Sequence, residues 1–417
     1  MASLLRQPAT VVLLVVLAAL LVAAGVMVPW NDPAPIPAAA RTQALASLPD
    51  TLVTRGKEFA AAVRPGSYLA LLLNLAVALV LGLTPWGARV IAWCGRALGG
   101  HWLAEAVLGG LTVLLVAQLV TLPLSAWHHT VVVRYGLSNQ TWAMWAGDVA
   151  RSYAVTLVLS GVALTAFYTV LHLAPKWWWA WVAAGSGILV VLMSAVYPVL
   201  VEPLFNNFHP MPDSPLRTEI IAMADADGVP VTEVLVSDAS RRTNAVNAYV
   251  SGLGPTRRIV VYDTLLAAPD EQVLSVVAHE LGHAKRGDVW IGTSLAALGT
   301  AAAVCALALL AQWTGLLRRA GVEDLRSPRS AALVLAFVAL VGVLSTPIQN
   351  LVSRHIEARA DQHALELTRD PVTFARMQAA LAAGNLSDVD PPGFVHWFFG
   401  SHPSTVERIA MAEEFRR

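Results

Sequence analysis

The chain has 417 residues, with 28 Lys and Arg against 28 Asp and Glu, and a formal net charge of zero at pH 7. Charged residues make up 13% of the sequence, well below the roughly 25% of a soluble domain, and hydrophobic residues make up 56%. Too few polar residues are present to cover a soluble globule of this size. Because no basic run is present either, the sequence offers no electrostatic surface for nucleic acid, and nucleic acid is not an expected partner.

Apolar residues are concentrated in seven stretches, each close to the roughly 20 helical residues that cross a bilayer core. The stretches cover residues 10–29, 67–86, 104–125, 153–173, 178–200, 291–313 and 330–350. The first stretch follows Arg6 and is open to a second interpretation as a secretory signal peptide, but its uninterrupted apolar length favours a retained span. We therefore predict an α-helical multi-pass membrane protein with about seven transmembrane helices. The Lys and Arg counts of its short loops do not decide its orientation.

Two polar segments, 201–290 and 351–417, carry most of the acidic residues. Two spans separate them, so both segments face the same compartment, and together they are as long as one ordinary domain. We predict a transmembrane region at 1–200, the first part of a polar domain at 201–290, two spans within 291–350, and the second part of that domain at 351–417.

The first polar segment alternates between helical and extended patterns, which predicts an α+β domain. Residues 214–226 are typical of a helix, and β-branched residues indicate strands at 232–237, 247–250 and 258–262. Pro269, Asp270 and Glu271 are suited to a helix start. The helix that they begin is predicted to run to about Arg286.

That helix contains the run His279-Glu280-Leu281-Gly282-His283. Two histidines four residues apart lie on one face of a helix and can present two imidazole nitrogens to one zinc ion. Glu280 then lies beside the metal rather than on it. The alternative is a pair of surface histidines on an ordinary helix.

A third ligand is required, and the segment after the last span offers Glu357, with Asp361 four residues later on the same helix face. Glu357 would complete a site of two histidines and one glutamate, and Asp361 would accept a hydrogen bond from a ligating imidazole. The alternative is a solvated helix face that pairs with Arg354 or Arg359. His355 and His363 compete as ligands but are out of phase with Glu357.

The position of these residues along the chain predicts a metal close to the membrane. If spans six and seven continue as helices into the polar segments, His283 and Glu357 both lie on the order of 10 Å from the apolar core. A hydrolase placed there suits substrates that are themselves anchored in or on the bilayer.

Several motifs in this order resemble a known family, the integral-membrane zinc metallopeptidases of the type 1 CAAX prenyl protease class. The likeness extends over most of the chain. It is carried by Glu202-Pro203-Leu204-Phe205-Asn206, Asn247-Ala248-Tyr249, the residues 258–265, the HELGH run, the residues 357–361, Ser401-His402-Pro403 and Glu407-Arg408. One departure precedes Asn247, where Ala245-Val246 replaces the His-Ser that is often seen, which puts local substrate contacts in doubt.

The resemblance implies a zincin-like metallopeptidase domain that binds one Zn²⁺ per chain, and a catalytic side in the cytoplasm. It implies that Asn247 holds the substrate backbone on an edge strand. It also implies that His402 and Arg408 stabilise the oxyanion, and that Arg408 engages a substrate carboxylate. On this hypothesis Glu280 takes the proton of the attacking water.

The substrate is expected to be a membrane-associated protein or peptide in the lipid bilayer, and two readings of it stay open. One is cleavage of prenylated CAAX proteins, and the other is quality-control proteolysis of membrane proteins without prenyl dependence. A non-catalytic chaperone or transporter is a third class, disfavoured because the chemical positions are all present. The spans are further hypothesised to enclose a water-filled chamber lined by Gln118, Asn139 and Gln140, with a solid bundle as the alternative.

Overall fold

The computed structural model describes residues 8–31, 33–34, 36–96, 99–252 and 257–417. In this part of the chain, seven helices are long and apolar enough to cross a membrane. They overlap the seven predicted stretches, three of which extend two or three residues beyond their helix, and this confirms the multi-pass helical architecture. The first span is helical from Pro8 onward, and Arg6, which raised the signal-peptide alternative, lies outside the described residues.

The first half of the chain is helical because long apolar runs satisfy their backbone hydrogen bonds internally, as a bilayer requires. Its helices are α1 (Pro8–Met27), α2 (Ala38–Ser47), α3 (Asp50–Leu83), α4 (Pro85–Arg96), α5 (Trp102–Arg134), α6 (Trp142–Leu173) and α7 (Trp178–Leu200). The spans among them are α1, α3, α5, α6 and α7. Helix α3 has 34 residues, more than the roughly 20 that cross a bilayer core, so its first turns extend beyond the membrane.

The second half mixes strands and helices. It contains β1 (Phe208–Pro210), α8 (Pro215–Ala226), β2 (Glu233–Ser237), β3 (Ala248–Ser251), β4 (Arg258–Tyr262), α9 (Asp270–Arg286), α10 (Asp288–Leu310), α11 (Thr314–Arg319), α12 (Ala331–Thr368), α13 (Pro371–Gly384), α14 (Gly393–Phe399) and α15 (Thr405–Phe415). Helices α10 and α12 carry the last two spans. The elements predicted between residues 214 and 286 lie within one residue of those observed.

The strands form a mixed sheet with the order β1-β2-β4-β3 in the described residues. Strands β2 and β4 are parallel, whereas β1 and β3 pair antiparallel with their neighbours. Strand β3 therefore lies at the edge of the sheet, where one side of its backbone is open to a further strand.

One hydrophobic core joins the two polar segments. It packs Ile259 of β4 and Leu281 of α9 with Leu365 of α12 and Phe374 of α13, all of them fully buried. Each such side chain contributes about 1.5–3 kcal/mol when it is removed from water. The segments on either side of spans six and seven therefore fold against each other.

A second cluster involves the segment before span two. Ala40 and Ala44 of α2 are buried against Val406 and Ile409 of α15, so this segment packs on the polar domain. The sequence analysis predicted no helix here, because small alanines give a weak signal beside the neighbouring spans. The division of the chain at residue 200 stays a prediction.

Span six does not continue directly from the histidine helix, so the condition of the distance estimate for His283 does not hold. Helix α9 ends at Arg286, and α10 begins at Asp288 after Gly287, which has φ 67°. Glycine has no Cβ and takes this left-handed conformation without strain. Helix α12, in contrast, is continuous over 38 residues from the membrane into the polar domain.

The neighbouring spans follow one another around the bundle. Helix α12 packs on α3, α3 on α5, α5 on α6, α6 on α7, and α7 on α10. The Asn139 amide donates to the Ser240 carbonyl at 3.0 Å, and the Gln140 amide donates to Asp148 at 2.6 Å. The internal chamber stays a prediction.

Helix α3 approaches the loop after α13 so closely that a side chain would not fit. A Cβ added at Gly56 would lie 2.1 Å from the Ser387 carbonyl oxygen. We expect Gly56→Ala to lower the free energy of unfolding by about 1–3 kcal/mol through overpacking, measured by thermal unfolding in detergent. The control is Gly147→Ala in α6, where nothing lies within 4 Å of the added carbon. Equal thermal stability of the two variants would contradict this packing.

Candidate metal centre

The helix that carries both histidines is well specified by its sequence. Helix α9 begins after Pro269 with Asp270 and Glu271 in its first turn, and it ends with basic residues before Gly287. These charges complement the helix dipole at both ends. The apolar face of α9 is fixed in the core, which orients the remaining face toward α12.

Three potential ligand atoms converge between α9 and α12. The His279 Nε2 atom lies 3.2 Å from Glu357 Oε2 and 3.1 Å from His283 Nε2, and the His283 Nε2 atom lies 3.6 Å from Glu357 Oε2. In the described residues these three form the group that could hold a metal ion. Tetrahedral zinc with bonds of about 2.0–2.1 Å separates its ligand atoms by about 3.3 Å, which matches this spacing.

A second observation also indicates that these three side chains suit zinc. The Glu357 Oε2 atom is buried and makes no hydrogen bond within the described residues, although imidazole nitrogens face it. A buried acceptor without a partner costs about 1–3 kcal/mol or more when it is charged. A cation between the three side chains would remove that cost, and two imidazoles with one carboxylate are ligands that zinc prefers.

Asp361 lies directly behind the first histidine. Its Oδ1 atom is 2.8 Å from His279 Nδ1, and the side chain is fully buried. Arg408 binds the same carboxylate, with its Nε atom 2.7 Å from Asp361 Oδ2. The solvated-face alternative for Asp361 is therefore wrong.

Asp288, which sequence reasoning missed, lies behind the second histidine. Its Oδ2 atom is 2.8 Å from His283 Nδ1, and its Oδ1 atom accepts a hydrogen bond from Arg359. Arg354 instead donates to the carbonyls of His396 and Gly400, so neither arginine pairs with Glu357 or Asp361. The missed signal was Gly287, whose turn brings the next residue back toward His283.

The acidic neighbours act on both imidazoles. Burial lowers the pKa of His279, but Asp361 and Glu357 outweigh it and raise that pKa above its usual value. Burial likewise opposes the shift at His283, where Asp288 and Glu357 raise the pKa to about 10. The metal-free site therefore holds protons that a bound metal must displace.

His402 lies on the open side of the site. Its Nε2 atom is 3.3 Å from Glu357 Oε2, and 55% of its side chain is exposed. The Ser401 hydroxyl lies 2.9 Å from His402 Nδ1, and the His396 ring contacts the His402 carbonyl at 2.9 Å. These contacts fix the direction of the ring.

Arg408 binds behind the first histidine. Its guanidinium is bound to Asp361 and lies 3.4 Å from His279 Nδ1. Sequence spacing could not reveal these partners. The predicted contact of Arg408 with an oxyanion or a substrate carboxylate stays a prediction.

Glu280 and the edge strand lie together. The Val250 backbone N–H donates to the Glu280 carboxylate, whose pKa is raised, chiefly by burial. Val250 is in β3, and the exposed Asn247 precedes that strand, with its carbonyl accepting a hydrogen bond from the Tyr262 N–H at 3.0 Å.

The competing histidines lie outside the site. The His363 Nε2 atom is 2.9 Å from Asp227 Oδ2, and the His355 ring packs edge-on against Trp30 at 5.0 Å between centroids.

Comparison with known proteins gives consistent matches. Residues 210–416 match Peptidase family M48, and residues 66–207 match the family described as CAAX prenyl protease N-terminal, five membrane helices. An uncharacterized metalloprotease, YhfN of Bacillus subtilis, is 34% identical over 72% of this chain and 71% of its own length. The CAAX prenyl protease 1 of Saccharomyces cerevisiae is 27% identical over 70% of this chain and 69% of its own.

The fold also matches a solved structure. The crystal structure of Ste24p from S. mikatae superposes with a TM-score of 0.79, covering 98% of this chain and 100% of that chain at 22% identity. At this identity the match establishes the shared fold.

The raised histidine pKa values lead to a prediction about metal uptake. Binding of zinc should release at least one proton at pH 7, and the apparent affinity should rise between pH 6 and pH 8, because the ligating imidazoles must be neutral. Calorimetric titration in two buffers of different ionisation enthalpy measures the released protons. The variant His283→Ala is the control, and uptake without proton release or pH dependence would contradict the arrangement.

Proposed function

Because this chain belongs to peptidase family M48, we propose that it is a zinc-dependent endopeptidase at the membrane surface, with His279, His283 and Glu357 as the ligands of one Zn²⁺ per chain. The observation that carries the proposal is the convergence of two imidazole nitrogens and one orphaned carboxylate oxygen at the spacing of tetrahedral zinc ligands.

The metal and Glu280 have separate tasks. A bound zinc ion supplies a Lewis acid that polarises the scissile carbonyl and acidifies a water molecule. Glu280 lies beside the ligands and takes the proton of the attacking water, then passes it to the leaving amine. Burial raises the pKa of Glu280, which favours its acceptance of a proton from water.

His402 is the proposed oxyanion donor. With the Ser401 hydroxyl donating to Nδ1, the neutral ring would carry its proton on Nε2, which lies 3.3 Å from Glu357 Oε2. That N–H can donate to the carbonyl oxygen as negative charge develops on it, and this stabilisation is largest where water is excluded. Arg408 and Asp361 act instead on His279, holding its imidazole in one tautomer.

The substrate is proposed to bind as an added strand along β3. Antiparallel pairing uses the inner backbone groups of Tyr249 and leaves those of Ala248 directed away from β4. An extended peptide can pair with that open side, and the Asn247 side chain can hold its backbone beside Glu280. Because binding as an added strand requires an extended backbone, it favours unfolded segments of a substrate over folded surfaces.

Membrane-associated proteins are the proposed substrate class. Glu357 lies seven residues after Asn350, the last residue of the apolar stretch of span seven. Since α12 is continuous, this separation is about 10 Å along the helix. The cytoplasmic orientation and the cleavage of prenylated CAAX substrates are proposed from the relatives. Quality-control cleavage without prenyl dependence is the second candidate. It is supported by the proposed strand addition, because that binding mode recognises the substrate through its backbone hydrogen bonds and does not require a lipid group.

The variant Glu280→Gln tests the mechanism. Zinc content should remain near one per chain because the metal ligands are intact, while turnover of a peptide substrate should fall by about three orders of magnitude or more. Zinc per chain is measured by mass spectrometry of the metal in purified protein. Full activity of this variant would exclude Glu280 as the base.

A substrate panel separates the two candidate substrate classes. We expect cleavage of a farnesylated CAAX peptide, and its unprenylated form and an unfolded membrane protein are assayed in parallel, with Glu280→Gln as the control. Prenyl-dependent cleavage would support the CAAX class, whereas equal cleavage of all three would support quality control. Absence of both zinc and turnover would contradict an enzyme.

A further inference from the structure

The two histidines of the metal centre have matching supports. His279 Nδ1 contacts Asp361, which is bound by Arg408, and His283 Nδ1 contacts Asp288, which is bound by Arg359. On the Nδ1 side of each imidazole, an aspartate therefore contacts the ring and an arginine binds that aspartate.

The aspartate and the arginine behind His283 come from two different helices. Asp288 is the first residue of the membrane helix α10, and it reaches back to the last turn of α9 because Gly287 reverses the chain between them. Arg359 comes from α12, two residues after Glu357. Asp288 is buried, and the Arg359 side chain is only 14% exposed, so the pair is shielded from water.

We propose that Asp288, held in place by Arg359, is a positioning residue for His283, and this rests on the proposed role of His283 as a zinc ligand. The carboxylate accepts the Nδ1 proton, which leaves the Nε2 lone pair directed at the metal. Arg359 prevents the carboxylate from rotating away, because Oδ1 and Oδ2 have different partners.

The consequence is that the orientation of His283 depends on three helices. Helix α9 carries the imidazole, α10 carries Asp288, and α12 carries both Arg359 and Glu357. The start of span six and the exit of span seven are thus joined by one ion pair behind the metal centre. Zinc affinity should fall when this pair is removed, even though no zinc ligand has changed.

A matched control lies near the C-terminal end of α9. Asp227 is also buried, also contacts a histidine, His363, at 2.9 Å, and also pairs with a cation, Lys285, at 2.6 Å. Among the described residues, none of these three makes an ion pair with a proposed zinc ligand. Asp227→Asn therefore measures the loss of a buried aspartate that binds a histidine and a cation, without a metal ligand among its partners.

The experiment compares Asp288→Asn, Arg359→Gln, Asp227→Asn and the unaltered chain. The zinc dissociation constant is measured by chelator competition, and thermal unfolding is measured on metal-free protein. We expect Asp288→Asn to weaken zinc binding about 10–100-fold, as loss of such partners does elsewhere, and Arg359→Gln to weaken it in the same direction. Asp227→Asn should leave the zinc dissociation constant unchanged while it lowers the thermal stability.

A double variant with both Asp288→Asn and Arg359→Gln tests whether the two residues act as one unit. Its effect on the dissociation constant should be well below the product of the single effects. An unchanged dissociation constant in Asp288→Asn, with lowered thermal stability alone, would overturn the inference and leave a structural ion pair. If the unaltered chain itself binds no zinc, the proposed function fails instead, so the two failures are distinguishable.

Discussion

Helix α12 is the constraint on which the rest of the site depends. Because it continues without a break from the bilayer into the polar domain, the position of Glu357 is set by the membrane bundle rather than by a loop. The same helix supplies Arg359 and Asp361, so it provides one candidate ligand and contacts the supports of both histidines. Its partner α9 is held by the core of the polar domain, and the two helices meet at the metal centre.

The balance of charged side chains between α9 and α12 then determines which ligand this site can hold. Glu357, Asp361 and Asp288 would repel one another if they were left alone, and Arg408, Arg359 and the imidazoles oppose that repulsion. A divalent cation would complete the balance where a buried carboxylate oxygen and ring nitrogens face each other. The proposed catalysis needs an open side as well, and the exposed His402 lies there.

Much of this architecture could be predicted from local pattern. The spans follow from apolar runs, and the elements around α9 follow from strand-forming residues and turn signals. Helical spacing places His279 and His283 on one face of α9, whereas the choice of Glu357 as third ligand left a solvated helix face open as the alternative. Three features depended on tertiary packing instead: α2 packs on α15 through small alanines, Gly287 separates α9 from α10, and Arg408 binds Asp361. Asp288 was missed because its role depends on that glycine turn.

The most direct test of the account is anomalous diffraction at the zinc absorption edge from crystals of the zinc-loaded protein. The account predicts one strong peak per chain, at about 2.0–2.2 Å from Nε2 of His279, Nε2 of His283 and a carboxylate oxygen of Glu357. A peak bound by His355 or His363, or no peak between α9 and α12 in zinc-loaded crystals, would contradict it.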